Sequence, residues 1–313
     1  MKWPFSSGQR AFVVVDAALP GLRAKWYELA GNSDSIPLYN GTPFAHLLEV
    51  SPILAEINPD HKFLSWAHQS SPSNNWGVLL TADANLSELA AHLRQSLTVI
   101  DENDSEVLCR FYDPDILPVF WQSLSVSEQQ TFAGPVTQWA ARQLGEEACW
   151  LSEPVERGAQ STWQTLKPLW LRLTEQHIQA MRPIYHRHRV QQAVVQLNQS
   201  MTWRLMHLAN EIVVQRIDET VQSIYRWHEA PSPQETLTFC QLCLERCSHF
   251  YRAARAEELL ASANLAQALV DIERDLAEQP DHYAPHHDPD WMPSYDETAL
   301  ISKRREQRWS DQG

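Results

Sequence analysis

The spacing of apolar positions changes partway along the chain. In the first half, short apolar runs without helical period alternate with stretches spaced i, i+3, i+4. Residues 12–16 place Val13, Val14 and Val15 in a row after Phe12 and stop at Asp16. That run is too short for a helix and predicts a buried strand. Residues 19–30 predict a helix, with Pro20 near its start and Gly31 just past its end. Residues 36–39 predict a second strand, closed by an Asn40-Gly41 turn. Ser51-Pro52 reads as a helix N-cap and first turn, so residues 53–57 predict a short helix. Residues 76–81 predict a strand, and residues 85–97 an amphipathic helix with Leu86, Leu89, Ala90, Leu93 and Leu97 on one face. Residues 107–112 predict a further strand. Asp113 then stands at an N-cap position before Pro114, opening a helix over 114–124 that turns Ile116, Leu117, Phe120 and Trp121 inward. This alternation predicts a layered α/β lobe over residues 1–145, its small sheet partly parallel.

Around residues 145–161 the periodicity lapses. Glu146, Glu147, Glu153 and Glu156 accumulate, and Pro154 and Gly158 interrupt, as at a domain boundary. Residues 162–278 then read as a helical domain, with helices over 174–181, 190–228, 233–261 and 263–277. Ala230-Pro231-Ser232-Pro233 makes the clearest break. Residues 279–313 are rich in Pro, Asp and His and predict an extended, flexible C-terminal tail. Its Trp291, Met292, Tyr295 and Trp309 are candidates for ordering on a partner. The whole is an α+β chain: a layered lobe, an all-α bundle and a tail.

Charge narrows the partners. The formal net charge is -14. Residues 1–150 carry 17 acids against 8 Lys and Arg, and the remainder 22 against 17, so both halves are acidic. Such a chain repels phosphate backbones and anionic lipid, which argues against nucleic acid and membrane surfaces as partners. The basic stretch over residues 182–189 is short and isolated, and reads as an exposed helix face. The apolar run at Val13 is cut by Asp16 too early for a signal peptide, and no stretch approaches the ~18 apolar residues of a membrane span. A soluble, cytoplasmic protein is expected. Five cysteines, an odd number, fit a reducing compartment. The 13 tryptophans read mainly as core anchors, and their number also admits some on a recognition surface.

Common catalytic motifs are absent: no phosphate-cradling glycine loop, no nucleophile elbow, no H-E-x-x-H pair. Cys240, Cys243 and Cys247 have the proximity that zinc or an iron–sulfur cluster requires. They also share an apolar helical stripe with Leu237, Leu244 and Tyr251, and are read as core. His282, His286 and His287 lie among prolines that leave their geometry unfixed. His46 and Glu49, three apart, could form an acid–base pair or a structural hydrogen bond. Asp16 and Asp113 stand at strand ends, where α/β sheets bind ligands, without a third acid beside them. No cofactor or metal is expected, and the chain is not expected to be an enzyme. An enzyme with a scattered carboxylate or histidine site, or a cysteine-rich metal-binding protein, is the alternative.

Six pieces occur in an order that resembles the adaptor (chaperone) family of type VI secretion. They are the strand ending at Asp16, residues 38–54 with Tyr39-Asn40-Gly41 and His46, Trp76-Gly77-Val78-Leu79-Leu80, the helix from Leu86 to Leu97, Arg110-Phe111-Tyr112-Asp113-Pro114, and Phe132-Ala133-Gly134-Pro135-Val136. Leu173-Thr174-Glu175-Gln176 is similar to the start of that family's helical part. The resemblance covers residues 12–140 well and later residues only in helical character. It implies a non-enzymatic adaptor that binds a secreted toxin effector and helps load it onto the valine-glycine-repeat (VgrG) spike. Its partners would be that effector and that spike. The motif positions it implies are Tyr39, Gly41, His46, Glu49, Pro52, Arg110, Tyr112, Asp113 and Trp139. Arg110, a cation in an acidic lobe, is the strongest candidate for a contact to a partner or to an internal carboxylate.

Overall fold

The computed structural model describes residues 3–31, 33–70, 75–142, 149–152, 169–206, 208–262 and 264–291. The chain packs as two units, Met1–Ile184 and Tyr185–Gly313. The expected boundary at residues 145–161 falls mostly outside the described residues.

The first unit runs β1 (Ala11–Val15), α1 (Leu22–Leu29), β2 (Ser35–Pro37), a 3-10 segment (Ala45–Val50), β3 (Ile53–Ile57), α2 (Lys62–Ser70), β4 (Gly77–Ala82) and α3 (Leu86–Ser96). It continues through β5 (Thr98–Ile100), β6 (Glu106–Leu108), α4 (Ile116–Ser123), α5 (Val126–Ala133), β7 (Val136–Arg142) and β8 (Cys149–Leu151). Six strands form one sheet in the order β2-β3-β1-β4-β7-β8, and β5 pairs with β6 in a separate ribbon. Every neighbouring pair in the sheet is antiparallel. The expectation of a partly parallel sheet is therefore corrected.

The cause of that error is visible in the packing. Strand residues alternate between faces. Phe12 and Val14 of β1 enter a core with Leu54, Val78, Leu80 and Trp139. Val13 and Val15 enter a second core with Ile53, Ala55, Leu79 and Ala140. Leu89 and Leu93 of α3, Leu117 and Phe120 of α4, and Phe132 of α5 join the first core, while Trp26 of α1 and Phe63 of α2 join the second. The sheet is thus apolar on both sides, and its central strands read as continuous hydrophobic runs. Such runs usually signal parallel sheets, because both faces of those are normally covered.

Residues 53–57 form β3, not the expected helix. Ser51 does not cap a helix; its Oγ accepts the Tyr39 N–H at 2.9 Å and donates to the Pro52 carbonyl at 3.1 Å. The Pro52 carbonyl also accepts the Leu38 N–H at 2.9 Å, which ties the entry of β3 to the exit of β2. Glu56 is the only exposed residue of β3, and across the sheet it meets Arg10 at 2.7 Å. The strand expected at 107–112 is shorter and lies in the β5–β6 ribbon. Helix α1 begins three residues later than its pattern suggested, after Gly21 in a left-handed conformation (φ 77°). Helix α3 agrees with its pattern: Asn85 accepts the Glu88 N–H and Glu88 reaches back to the Asn85 N–H.

In the second unit, helix α6 (Glu175–Ser200), which starts in the first, is followed by α7 (Thr202–Leu205), α8 (Asn210–Ile224), α9 (Pro233–Glu245), a 3-10 turn (Phe250–Arg252), α10 (Ala254–Leu260) and α11 (Leu265–Glu278). Helix α6 continues through Pro183, so the expected break between 181 and 190 does not occur. The helix expected over 233–261 does break, at the turn between α9 and α10. Helix α9 opens with a capping box between Ser232 and Glu235, with Pro233 in the first turn. Ser232→Ala should cost about 1 kcal/mol in chemical denaturation.

Cys240, Cys243 and Cys247 are buried in the core of this unit with Phe239, Leu244 and Phe250. Burial pushes the Cys240 thiol up to about 12 and the Cys243 thiol well above its ordinary value, which disfavours the thiolate that a metal or an electrophile needs. Both are expected to resist iodoacetamide in the native protein at about pH 8 and to react once it is denatured. Peptide mapping of the labelled protein checks this. The start of the tail is packed, contrary to expectation. Residues 280–282 and 284–286 form 3-10 turns, and Tyr283 and Trp291 are buried in the helical core. Their two large rings bury enough apolar area to hold a proline-rich segment that lacks regular backbone bonding.

Candidate partner-binding surface

The motif positions fall into three groups: a polar latch, a tight turn with an exposed apolar step, and plain core. The latch joins the end of β1 to the segment before α4. Asp16, 2 % exposed, accepts from Arg110 Nη2 at 2.6 Å. Its other oxygen accepts the Ala18 N–H at 3.1 Å, and its own N–H donates to the Trp76 carbonyl at 2.9 Å. Arg110 also lies 3.9 Å from Asp113 and over the ring of Tyr112, 5.7 Å from its centroid. Burial works against the Arg110 charge, but Asp16, Tyr112 and Asp113 outweigh it and raise its pKa. Helix α4 starts at Ile116 rather than at the expected residue 114, and its N-cap is Asp115. Asp113 instead closes the preceding turn, its Oδ1 accepting the Asp115 N–H at 3.0 Å and its carbonyl accepting from Leu117 at 3.0 Å.

Behind the latch, the Tyr39 and Tyr112 hydroxyls share a hydrogen bond of 2.8 Å, both rings buried. Burial raises the pKa of each phenol. The bond spans 73 residues of sequence and ties the β2 exit to the segment before α4. Proton transfer from either phenol near neutral pH is strongly disfavoured in such a site. The pair is a pin.

The turn after Tyr39 places Gly41 at φ 77°, a conformation that glycine adopts without strain. The Thr42 hydroxyl donates to the Tyr39 carbonyl at 2.7 Å and closes the turn. The chain then enters the 3-10 segment Ala45–Val50. His46 and Glu49 find separate partners here: His46 Nδ1 is 3.2 Å from the Pro43 carbonyl, and Glu49 is 3.8 Å from Arg23. Leu47, Leu48 and Val50 lie open at 40, 38 and 38 % exposure. Arg23 of α1 donates to the carbonyls of Leu48 and Glu49, both at 2.8 Å, and its guanidinium covers the ring of Tyr27, itself 49 % exposed. One arginine thus ties the backbone of the segment that carries the three exposed aliphatic residues to an exposed tyrosine. Other exposed apolar residues, such as Val126 and Val270, are dispersed, as is ordinary on any surface.

Trp139 and Pro52 belong to the core group. Trp139, fully buried in β7, stacks on Phe132 with centroids 5.2 Å apart. Sequence reasoning reached the latch residues but passed over Leu47, Leu48, Val50, Arg23 and Tyr27 as a surface. The available signal was a run of three apolar residues within six positions that fits neither a strand nor an amphipathic helix. Among the described residues, no helix is long and apolar enough to cross a membrane.

A family model described as "Domain of unknown function (DUF4123)" matches residues 11–131. The match starts at the first residue of β1 and ends inside α5, so it takes in the latch, the tyrosine pin and the apolar step, and leaves out the second unit. No curated protein matches the chain. No solved structure matches it either.

Proposed function

We propose that the chain is a non-enzymatic adaptor of type VI secretion, which holds a toxin effector in the cytoplasm and helps load it onto the VgrG spike. The observation that carries this reading is the DUF4123 match over residues 11–131, a domain known in the context of type VI effector adaptors. The condition of the motif residues supports it. Arg110, Asp16, Tyr39 and Tyr112 are committed to one another in a partly or fully buried network. Groups so engaged define a scaffold, whereas a catalytic centre needs an acid, base or nucleophile free to meet a substrate.

The effector would dock on the apolar step formed by Leu47, Leu48, Val50 and Tyr27. An interface needs a small apolar centre inside a polar rim, and Arg23, His46 and Glu49 surround this step as such a rim. The Tyr39 pin at the entry to the turn and the Arg23 bonds to the Leu48 and Glu49 carbonyls hold the step's backbone before binding, which limits the ordering entropy lost on association. The acidic remainder keeps the adaptor soluble and lets the complex avoid nucleic acid and membrane.

Co-expression of the tagged full-length chain with the toxin encoded beside it tests this reading. Stoichiometric co-elution is expected. Leu48→Glu should weaken capture at least about tenfold, since a charge forced into an apolar contact costs more than ~1.4 kcal/mol. Its unfolding midpoint should stay close to the parent's, because Leu48 is already open to water. Failure of the parent chain to retain the toxin would remove the adaptor reading. Capture that ignores Leu48→Glu would remove only the surface assignment.

A further inference from the structure

We propose that the second unit carries a binding site for a carboxylate group, in the cavity between α8, the 3-10 turn Phe250–Arg252 and Trp291. The cavity measures about 320 Å³ and is lined by Glu219, Ser223, Arg226, His249, Arg252 and Trp291 among others. That volume sits at the lower end for ligand sites and suits a group the size of one acidic side chain or a small dicarboxylate.

The argument rests on which charges in the wall are already committed. Among the described residues, Glu219 is the one acid lining the cavity. It accepts from Gln215 at 2.9 Å and from Arg216 at 3.0 Å, and the Trp291 indole donates to it as well. Burial pushes the Glu219 carboxyl up, but these bonds outweigh it and hold its pKa below the usual range, so it is ionised and engaged. The guanidinium of Arg226 has no hydrogen bond or ion pair among the described residues. That of Arg252 has only the face of Tyr251, 5.8 Å from the ring centroid. Among the described residues, two cations of one cavity are therefore without an ion pair, in a chain whose net charge is -14.

The neighbouring polar groups favour a planar, doubly accepting anion. Ser248 Oγ accepts the Asp288 N–H at 2.7 Å and lies 3.1 Å from His249 Nδ1. When its own proton points to Nδ1, the imidazole carries its N–H on Nε2, a donor. Burial first, and then Arg252, lower the His249 pKa, so this ring is neutral at neutral pH. The hydroxyls of Ser223 and Thr220 spend their protons on the Glu219 and Arg216 carbonyls. Donors to a ligand are thus the two guanidinium forks and the imidazole, a set that matches a carboxylate. Trp291 closes one side of the cavity, held edge to face against His249 at 5.7 Å and beneath Arg216 at 5.9 Å. The carboxylate could belong to a polypeptide or to a free dicarboxylate. The chemistry recognised is the same.

The test uses the full-length chain labelled with 5-fluorotryptophan, with the Trp291 resonance assigned through Trp291→Phe. Succinate, an acetylated Asp-Glu dipeptide amide and inorganic phosphate are titrated at constant ionic strength. A saturable shift of the Trp291 signal with either carboxylate is expected, with the remaining tryptophan signals unmoved. Arg226→Gln and Arg252→Gln should each weaken the response at least about tenfold, and Arg252→Lys less. Both residues are exposed, and an unchanged fluorine spectrum without ligand confirms that each variant is folded. Tighter binding of the dipeptide would mark a polypeptide as the source, and equal or tighter binding of succinate a free dicarboxylate. The proposal is overturned if neither carboxylate moves the signal at concentrations that saturate a site of about 1 mM Kd. A response to phosphate alone, or one that persists unchanged in both glutamine variants, overturns it equally.

Discussion

Gly77→Ala is expected to destabilise the first unit by about 4 kcal/mol, the sum of a strained backbone and an overpacked sheet. Gly77 opens β4 at φ 145°, where side-chain-bearing residues are strained. A methyl group there would fall 2.0 Å from the carbonyl oxygen of Val14, on the neighbouring strand β1. That oxygen belongs to backbone in the middle of the sheet and cannot rotate away as a side chain could. Relief requires β1 and β4 to separate where Val15 pairs with Gly77, next to the Asp16–Trp76 hydrogen bond. With a typical domain stability of about 5–15 kcal/mol, such a loss lowers the denaturation midpoint severely or prevents folding. Urea unfolding followed by circular dichroism measures it. A change under about 1 kcal/mol would mean that the strands do not approach as closely as described.

The second large effect is expected at Arg110. Replacing it with Met keeps the stem and removes the charge, leaving the Asp16 carboxylate buried with the Ala18 N–H as its remaining hydrogen bond. Losing one partner of a fully buried pair costs about 3–5 kcal/mol. The Arg110 side chain is 40 % exposed, so water screens the pair and about 2–3 kcal/mol is the reasonable expectation. Asp16→Asn in the same background should restore part of the loss, because an uncharged amide tolerates burial better than an unpaired carboxylate. A double-mutant cycle on the two positions gives the coupling directly. If Arg110→Met unfolds at the parent's midpoint, the pair is not a latch, and Arg110 would be free to serve a partner instead.

Residues 110–114 illustrate how far local sequence reaches. That Asp113 bonds backbone at the entry to a helix was legible, but the cap falls on Asp115, because the turn from Asp113 to Asp115 precedes the first helical residue, Ile116. That Arg110 reaches Asp16, 94 positions earlier, was not, since nothing local to either residue records the other. The same limit explains β3. Ser51-Pro52 carries a genuine helix-start signal, and five residues are too few for periodicity to overrule it. Only pairing with β1 and β2 makes the segment a strand.

The α+β class, the helical second half, the acidic character and the resemblance to type VI adaptors could all be read from one-dimensional pattern. The first three depend on composition or on spacing over a few turns, and the resemblance on short motifs met in order. The antiparallel order of the sheet, the tyrosine pin, the exposed step at Leu47–Leu48–Val50 and the uncommitted arginines around Trp291 could not. They are consequences of which distant segments meet, and burial on both faces of a sheet erases the alternation that would have announced its direction.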